Sequence, residues 1–419
     1  MTRTTIVNAR ILSGQAVPGG SIGPAGAPGS AESARAPGPA GAPAAADDPT
    51  RLWDILFGED RILRVSPSGR NDPEGEIIDA RGAWAAPGYV DIHTHGGAGS
   101  DVMDADPGGL ERIARFHLSN GTTTFLATTL TAPLDRIQAA LDVVRSYRGG
   151  GARIAGVHLE GPFLSPANAG AQEKRHLRVP DDQARKFIAA NADVLRRITI
   201  APELPGALEL IEECAARGIG VSAGHDASVD DELAAAIEKG LSCVTHIYCC
   251  SSTISRRTGP RKHLGLTEVG MSDPRLAVEV IADGRHIPDA LFRLILKAKG
   301  RDAVCLVSDS IRVAGMPDGE YRLGDAGTEV RVRKEGDEAS IPDLGVYAGS
   351  VMPLGTMIRR LVSGGAASLA DAVYMASTVP ARLAGLSDRG RIVEGARADI
   401  NLLEEDGGIR RTFLGGQQV

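Results

Sequence analysis

Short runs of Val, Ile and Leu recur through the middle of the chain, each closing on a polar side chain and each followed by a segment of helical character. The runs are 89–95 (YVDIHTH), 122–130 (TTTFLATTL), 154–160 (IAGVHLE), 197–203 (RITIAPE), 219–225 (IGVSAGH), 242–248 (SCVTHIY), 276–283 (LAVEVIAD) and 304–310 (VCLVSDS). Runs of this length and β-branched content predict strands. Between them, 182–194, 206–217 and 229–239 predict helices, the first with apolar residues at helical spacing. Eight β-α units in succession predict an α/β fold closed into a parallel (β/α)8 barrel over 86–384.

Strand-like text also occurs near the two ends, at 4–12, 51–56, 61–65 and 76–79, and again at 398–404 and 411–414. The ends, 1–85 and 385–419, are therefore expected to share one small β-sandwich domain with the barrel inserted between them. Within the first end, 14–48 is almost entirely Gly, Ala, Pro and Ser, without Leu, Phe, Tyr, Trp or Met. Such a stretch cannot bury enough apolar surface to offset its ordering entropy, and disorder is expected there.

Composition and charge act mainly by exclusion. The 419 residues suit one barrel of roughly 250 residues plus a smaller unit. A net charge of −7 argues against a nucleic-acid surface. No apolar run approaches the roughly 18 residues of a membrane helix. The opening MTRTTIVNARILS lacks a long apolar core and a small-residue cleavage site, and the five cysteines are odd in number and form no CxxC pair. A reduced, cytoplasmic chain is expected.

The candidate chemistry lies at the ends of the predicted strands. The first closes on His93-Thr94-His95, the third on Glu160, the fourth on Glu203 and the fifth on His225. The sixth carries His246, the seventh leads to Asp283 and His286, and the eighth closes on Asp309. Barrel active sites sit at this carboxyl-terminal rim, so the side chains should converge. Imidazoles and carboxylates gathered in a buried mouth are costly without a ligand, which points to a metal. The donor set suits Zn²⁺ first, with Fe, Co or Mn as alternatives, rather than an oxygen-rich Mg²⁺ or Ca²⁺ site. Glu160, His225 and His246 supply the three ligands of a catalytic site with one open position. His93 and His95, two apart on one strand face, could hold a second ion. His158, two before Glu160, could point inward beside it; His117, His176 and His263 carry no specific signal.

The blocks PGYVDIHTHGG (87–97), GVHLEGPFLSPANAGAQ (156–172), SAGHDAS (222–228), VTHIY (244–248), ADGRHIPDAL (282–291) and LVSDS (306–310), with ASTVPARLAGL…GRIVEGARADI (376–400), resemble the amidohydrolase superfamily. They are most similar to N-acetylglucosamine-6-phosphate deacetylases, from about residue 76 to the C-terminus. The resemblance implies a metal-dependent hydrolase of carbon–nitrogen bonds other than peptide bonds. It implies Glu160, His225 and His246 as metal ligands and Asp309 as catalytic acid/base. It also implies His93 and His95 as ligands in members that hold two metals, His286 beside the reacting carbonyl, and Gln172 in the loop that contacts the sugar. A metal lowers the pKa of water toward ~7, so such a site can hydrolyse an amide at neutral pH.

Two features bear on the substrate. Where the deacetylases carry an Asn-Ala-Met tripeptide that helps bind the sugar phosphate, this chain has Cys249-Cys250-Ser251. The two cysteines are expected to line the substrate pocket as small, soft residues rather than to act as nucleophiles, because His246 is engaged as a ligand. The family's phosphate-binding Arg, supplied across a dimer interface, falls in register on Arg257, with Arg256 beside it; a homodimer is implied. The expected substrate is an amino-sugar phosphate, N-acetylglucosamine 6-phosphate foremost. The alternatives are an amidohydrolase of another N-acyl compound, an N-acyl amino acid or unphosphorylated amide, and a barrel that has lost catalysis and serves as a scaffold.

Overall fold

The computed structural model describes residues 3–12, 51–255, 259–324 and 330–419. The low-complexity stretch 14–48 lies outside them. All eight central runs form strands: β1 (Tyr89–Thr94), β2 (Thr122–Thr128), β3 (Arg153–Glu160), β4 (Leu195–Ile200), β5 (Gly220–Ala223), β6 (Leu241–Val244), β7 (Ala277–Val280) and β8 (Val304–Leu306). Their order in the sheet is their order in the chain, with every neighbouring pair parallel. The sheet nearly closes into a barrel through the ends of β1 and β8. Asp309 N donates to His93 O at 2.9 Å, His95 N and Gly96 N donate to Ser310 O at 2.8 and 2.9 Å, and Thr94 and Ser310 form a parallel bridge. His93 lies on β1 at this seam, His95 directly follows β1, and Asp309 follows β8 by three residues.

Burial on both faces explains why β1 and β2 show no polar alternation: every residue of each is buried. The predicted helices form at Asp182–Ala190, Ala207–Ala216 and Asp230–Glu238, each shorter by a few residues than its apolar pattern. The helix Pro107–Ser119 begins with Asp106 accepting from Gly108 N and Gly109 N, and with Pro107 where the missing amide hydrogen costs nothing. The helix Leu369–Leu383 packs against β1 and β8 and so covers the seam.

Both chain ends contribute to a second sheet. Its order runs from Gln417–Gln418 through Ile409–Leu414, Ile400–Leu403, Trp84–Pro87, Arg3–Ile11 and Trp53–Gly58 to Arg61–Pro67, with Glu76–Asp79 also pairing Arg3–Ile11. The strand Arg3–Ile11 changes partner part-way. Thr4 to Val7 pair with 76–79, whereas Arg10 and Ile11 pair with Trp84 and Ala85, and Asn8 between them has φ 57°. The irregularity lets the sheet wrap a core of Ile6, Trp53, Phe57, Ile400 and Phe413.

One element escapes the alternating β-α pattern. After β8 the chain builds a four-stranded antiparallel sheet, Gly319–Arg322, Arg331–Glu335, Glu338–Ile341 and Val346–Tyr347. Its inner face packs Val332, Ala339 and Ile341 on Ile311, Val313 and Leu323. The sheet stands beside the mouth of the barrel and supplies one wall of the cleft described next.

Candidate metal centre

A cleft of about 600 Å³ opens at the carboxyl-terminal end of the strands. It is lined by Glu160, His95, His225, His246, Asp309 and His286, among others. Glu160, the last residue of β3, lies at the middle of the cluster. Its Oε1 is 3.1 Å from His246 Nε2, 3.3 Å from His225 Nε2 and 3.4 Å from His93 Nε2. Its Oε2 is 3.2 Å from His95 Nε2, and Asp309 Oδ1 lies 3.3 Å from His95 Nε2 and 3.6 Å from His93 Nε2. The sequence-predicted residues His93, His95, Glu160, His225, His246 and Asp309 thus come together at one point.

Local backbone geometry aims several of them. His225, His246 and Asp309 follow the ends of β5, β6 and β8 by two or three residues, with φ of 49°, 26° and 46°. A left-handed conformation is strained for these residue types, and such strain persists only where the surroundings hold it. It turns the chain sharply enough to project each side chain across the barrel mouth. Gly170, at φ 57°, makes room for the result: a Cβ there would lie 2.5 Å from Cys250 Sγ and 3.4 Å from His225 Cε1.

The hydrogen bonds fix which ring nitrogen faces inward. His225 Nδ1 lies 3.0 Å from Asn168 O, His246 Nδ1 3.1 Å from Cys249 O and His95 Nδ1 3.2 Å from Thr128 O. Backbone carbonyls only accept, so each Nδ1 carries the hydrogen and each Nε2 presents a lone pair to the cleft. His93 Nδ1 meets Glu279 Oε2 at 3.0 Å, a fully buried carboxylate on β7. His225 Nε2 and His246 Nε2 face each other at 3.1 Å, and His93 Nε2 is buried without a hydrogen-bond partner among the described residues. Lone pairs converging in this way require a cation or protons between them.

The electrostatics agree. Burial opposes charge on Glu160, Asp309, His93 and His95, but neighbours override it. His93 lowers Glu160 well below the ordinary carboxylate value, with His225 and His246 assisting. Asp309 is lowered by His93 and His95 in spite of its burial. Glu160 and Asp309 in turn raise His93 well above its ordinary value, and they raise His95 to about 9. A cluster that gathers positive charge so strongly fits a divalent ion, which replaces protons on the same ligands. Among the described residues, His93-Glu160-His246 and His93-His95-Asp309 have ligand atoms close enough for an ion.

The remaining predicted residues fall around this centre. His286 lines the cleft, its Nδ1 held by Asp283 Oδ2 at 2.7 Å. Cys249 and Cys250 also line it, and burial raises the Cys249 thiol, which disfavours a thiolate. Gln172 borders the cleft, but both ends of its amide are committed: Nε2 donates to Glu160 Oε2 and Oε1 accepts from Thr131 N, each at 2.7 Å. It braces a ligand. Glu203 stays out of the cluster, because β4 ends at Ile200 and Glu203 accepts from Ala227 N at 2.8 Å. His158 packs its ring 4.6 Å from that of His93 while bonding Ile92 O and Thr199 Oγ1, and burial holds it neutral. His117, lowered to about 4 by burial, bonds Thr94 and Gly96. Arg256 and Arg257 lie outside the described residues.

Over residues 84–419 the sequence matches the family model described as "Amidohydrolase family". The chain belongs to the amidohydrolase family. An N-acetylgalactosamine-6-phosphate deacetylase of Escherichia coli is 34% identical over 336 residues, covering 79% of this chain and 86% of that protein. An N-acetylglucosamine-6-phosphate deacetylase of Bacillus subtilis is 32% identical over 371 residues, covering 86% and 91%. Among solved structures, an N-acetyl-D-glucosamine-6-phosphate deacetylase variant from Mycobacterium smegmatis, in complex with N-acetyl-D-glucosamine-6-phosphate, superposes with a TM-score of 0.83 at 26% identity. It covers 100% of this chain and 99% of that one. The barrel and the carbon–nitrogen hydrolase chemistry expected from the sequence are those of this family.

In this amidohydrolase, the Asp283–His286 pair makes a specific prediction. Burial lowers the His286 pKa, but the Asp283 carboxylate more than compensates and raises it overall. A raised imidazole keeps its proton to higher pH, so a rate that needs His286 as a cation is lost as pH rises through that value. Asp283→Asn should move the basic limb of the kcat/KM profile to lower pH. An unmoved limb would mean that another group sets it.

Proposed function

We propose that the chain is a metal-dependent deacetylase hydrolysing the N-acetyl amide of an amino-sugar 6-phosphate, N-acetylglucosamine 6-phosphate foremost. The observation that carries this reading is the convergence of Glu160, His225, His246 and Asp309 on one buried point beside His286, in a chain whose relatives bear this activity in their names. A divalent ion, Zn²⁺ first by donor type, would be held by Glu160, His225 and His246, with His93 and His95 able to hold a second. When bound, it supplies Lewis acidity and a water of lowered pKa.

The chain's own groups do the rest. Asp309, kept ionised by His93 and His95, accepts the proton of the attacking water and delivers it to the departing amine. His286, fixed through Nδ1 by Asp283, is free to donate from Nε2 to the oxyanion that develops on the carbonyl. Cys249 and Cys250 line the sugar side of the cleft, and Arg257 is the residue proposed to reach the phosphate of a neighbouring subunit's substrate in a homodimer. The five cysteines are all free thiols, which supports a reducing, cytoplasmic setting.

Relatives act on either the gluco or the galacto sugar, so both phosphates are assayed for acetate release beside unphosphorylated N-acetylglucosamine. The phosphorylated sugars should be strongly preferred, and Arg257→Ala should raise KM for them while leaving the weak unphosphorylated reaction unchanged. Equal use of both forms would instead favour another N-acyl substrate.

A further inference from the structure

Three of the four cluster histidines, His95, His225 and His246, turn Nδ1 to a backbone carbonyl, a neutral acceptor. His93 turns it to a carboxylate instead, Glu279 Oε2 at 3.0 Å. Glu279 lies on β7, fully buried, and has no part in the chemistry assigned to Asp309 and His286. A buried carboxylate is costly unless a neighbour compensates it. The neighbour of opposite charge is Arg197 on β4, also fully buried.

The two do not form a close pair. Arg197 Nη2 is 3.8 Å from Glu279 Oε1, and among the described residues neither Glu279 Oε1 nor Arg197 Nε has a hydrogen-bond partner. The guanidinium bonds Ser222 Oγ and Leu383 O instead. Arg197 therefore offsets the charge of Glu279 through space and leaves Oε2 to the cluster. There Oε2 has two contacts, His93 Nδ1 and, at 3.4 Å, His246 N. The second is to a backbone amide, and the His246 ring is held separately by Cys249 O. Of the four cluster imidazoles, Glu279 fixes that of His93. A carboxylate acceptor keeps the hydrogen on Nδ1 and the Nε2 lone pair turned to the cleft. It also makes the ring a stronger base toward a cation than a carbonyl does. His93, His95 and Asp309 bring ligand atoms close enough together for one ion.

We propose that Glu279 is a positioning residue for His93, and that this buried carboxylate, countered by Arg197, decides whether the cleft holds a second divalent ion beside the one assigned to Glu160, His225 and His246. The inference rests on the metal-dependent reading of the cleft.

The test is a Zn²⁺ titration of the chelator-stripped full-length protein against a competing chromogenic chelator. Wild type should bind in two steps. Glu279→Gln should weaken one step by ~10–100-fold, the range for loss of a ligand's hydrogen-bond partner, and leave the other within about threefold. Proton NMR of the Co²⁺-loaded protein identifies the step. Shifted exchangeable imidazole protons should come from His93, His95, His225 and His246 in wild type. At a Co²⁺ level below the weakened step, the variant should keep only those of His225 and His246. Glu279→Gln leaves Arg197 buried without its counter-charge. The double variant Glu279→Gln, Arg197→Met removes both charges together and should show the same selective loss if the single variant does not fold. Two steps weakened alike, as a merely structural role would give, or neither step changed, would overturn the role of Glu279. A single step in wild type would overturn the second ion and leave the deacetylase reading, which acetate release tests, intact. No metal uptake at all would overturn both.

Discussion

Replacing Asp309 by Asn should lower kcat by about 10²- to 10⁴-fold, the usual contribution of a positioned proton acceptor, while metal content stays at the wild-type level. Asp309 is buried at the seam where β8 meets β1, its amide donating to His93 O and its carbonyl accepting from Ser350 N. These backbone bonds do not depend on the side chain, so the amide variant keeps the local turn. What changes is the acceptor. A carboxylate held ionised by His93 and His95 can take a proton from water, and a carboxamide cannot. Steady-state kinetics and elemental analysis on the same preparation check the result. Unchanged kcat would remove Asp309 from the chemistry, and lost metal would make it a ligand instead.

The second large effect is expected at Glu160. Its two oxygens face four imidazoles and the Gln172 amide, all within 3.4 Å. Glu160→Gln retains the shape and removes the anion. The variant should lose metal affinity by more than the ~10–100-fold that follows loss of a ligand's hydrogen-bond partner, and activity should fall with it. Metal titration against a competing chelator reads the affinity directly. The Gln172→Ala variant, which removes only the brace on Oε2, provides the comparison and should show the smaller loss. If the two variants bound metal alike, Glu160 would not be a primary ligand.

Most of the barrel was legible because its strands are buried on both faces and must be continuous apolar runs, whatever surrounds them. The strand-end cluster was legible because charged groups in such a place are hard to explain as packing. What was not legible depended on partners distant in sequence. Glu203 closes an apolar run just as Glu160 does, yet the chain turns after Ile200 and gives it to Ala227 N. Gln172 lies in the loop expected to meet the sugar, but nothing local reveals that its amide bridges Thr131 and Glu160. Glu279 was missed although a signal existed. A lone carboxylate inside the run LAVEVIAD, in a buried strand, needs a partner, and here it is His93, with Arg197 3.8 Å away. The antiparallel sheet after β8 also left a trace, since VRVRKEG alternates with a period of two before a turn residue. Arg257 lies outside the described residues, so its part in phosphate binding rests on register with the family.

Metal-dependent amide hydrolysis underlies every role proposed for the cleft. The decisive measurement is acetate release from N-acetylglucosamine 6-phosphate by the purified protein, first stripped by a chelator and then titrated with Zn²⁺, Fe²⁺, Co²⁺ or Mn²⁺. The stripped protein should show no turnover, and activity should recover to saturation at one or two ions per chain. Full activity in the stripped protein, or tight metal binding without acetate release from any amino-sugar phosphate, would contradict metal-dependent deacetylation.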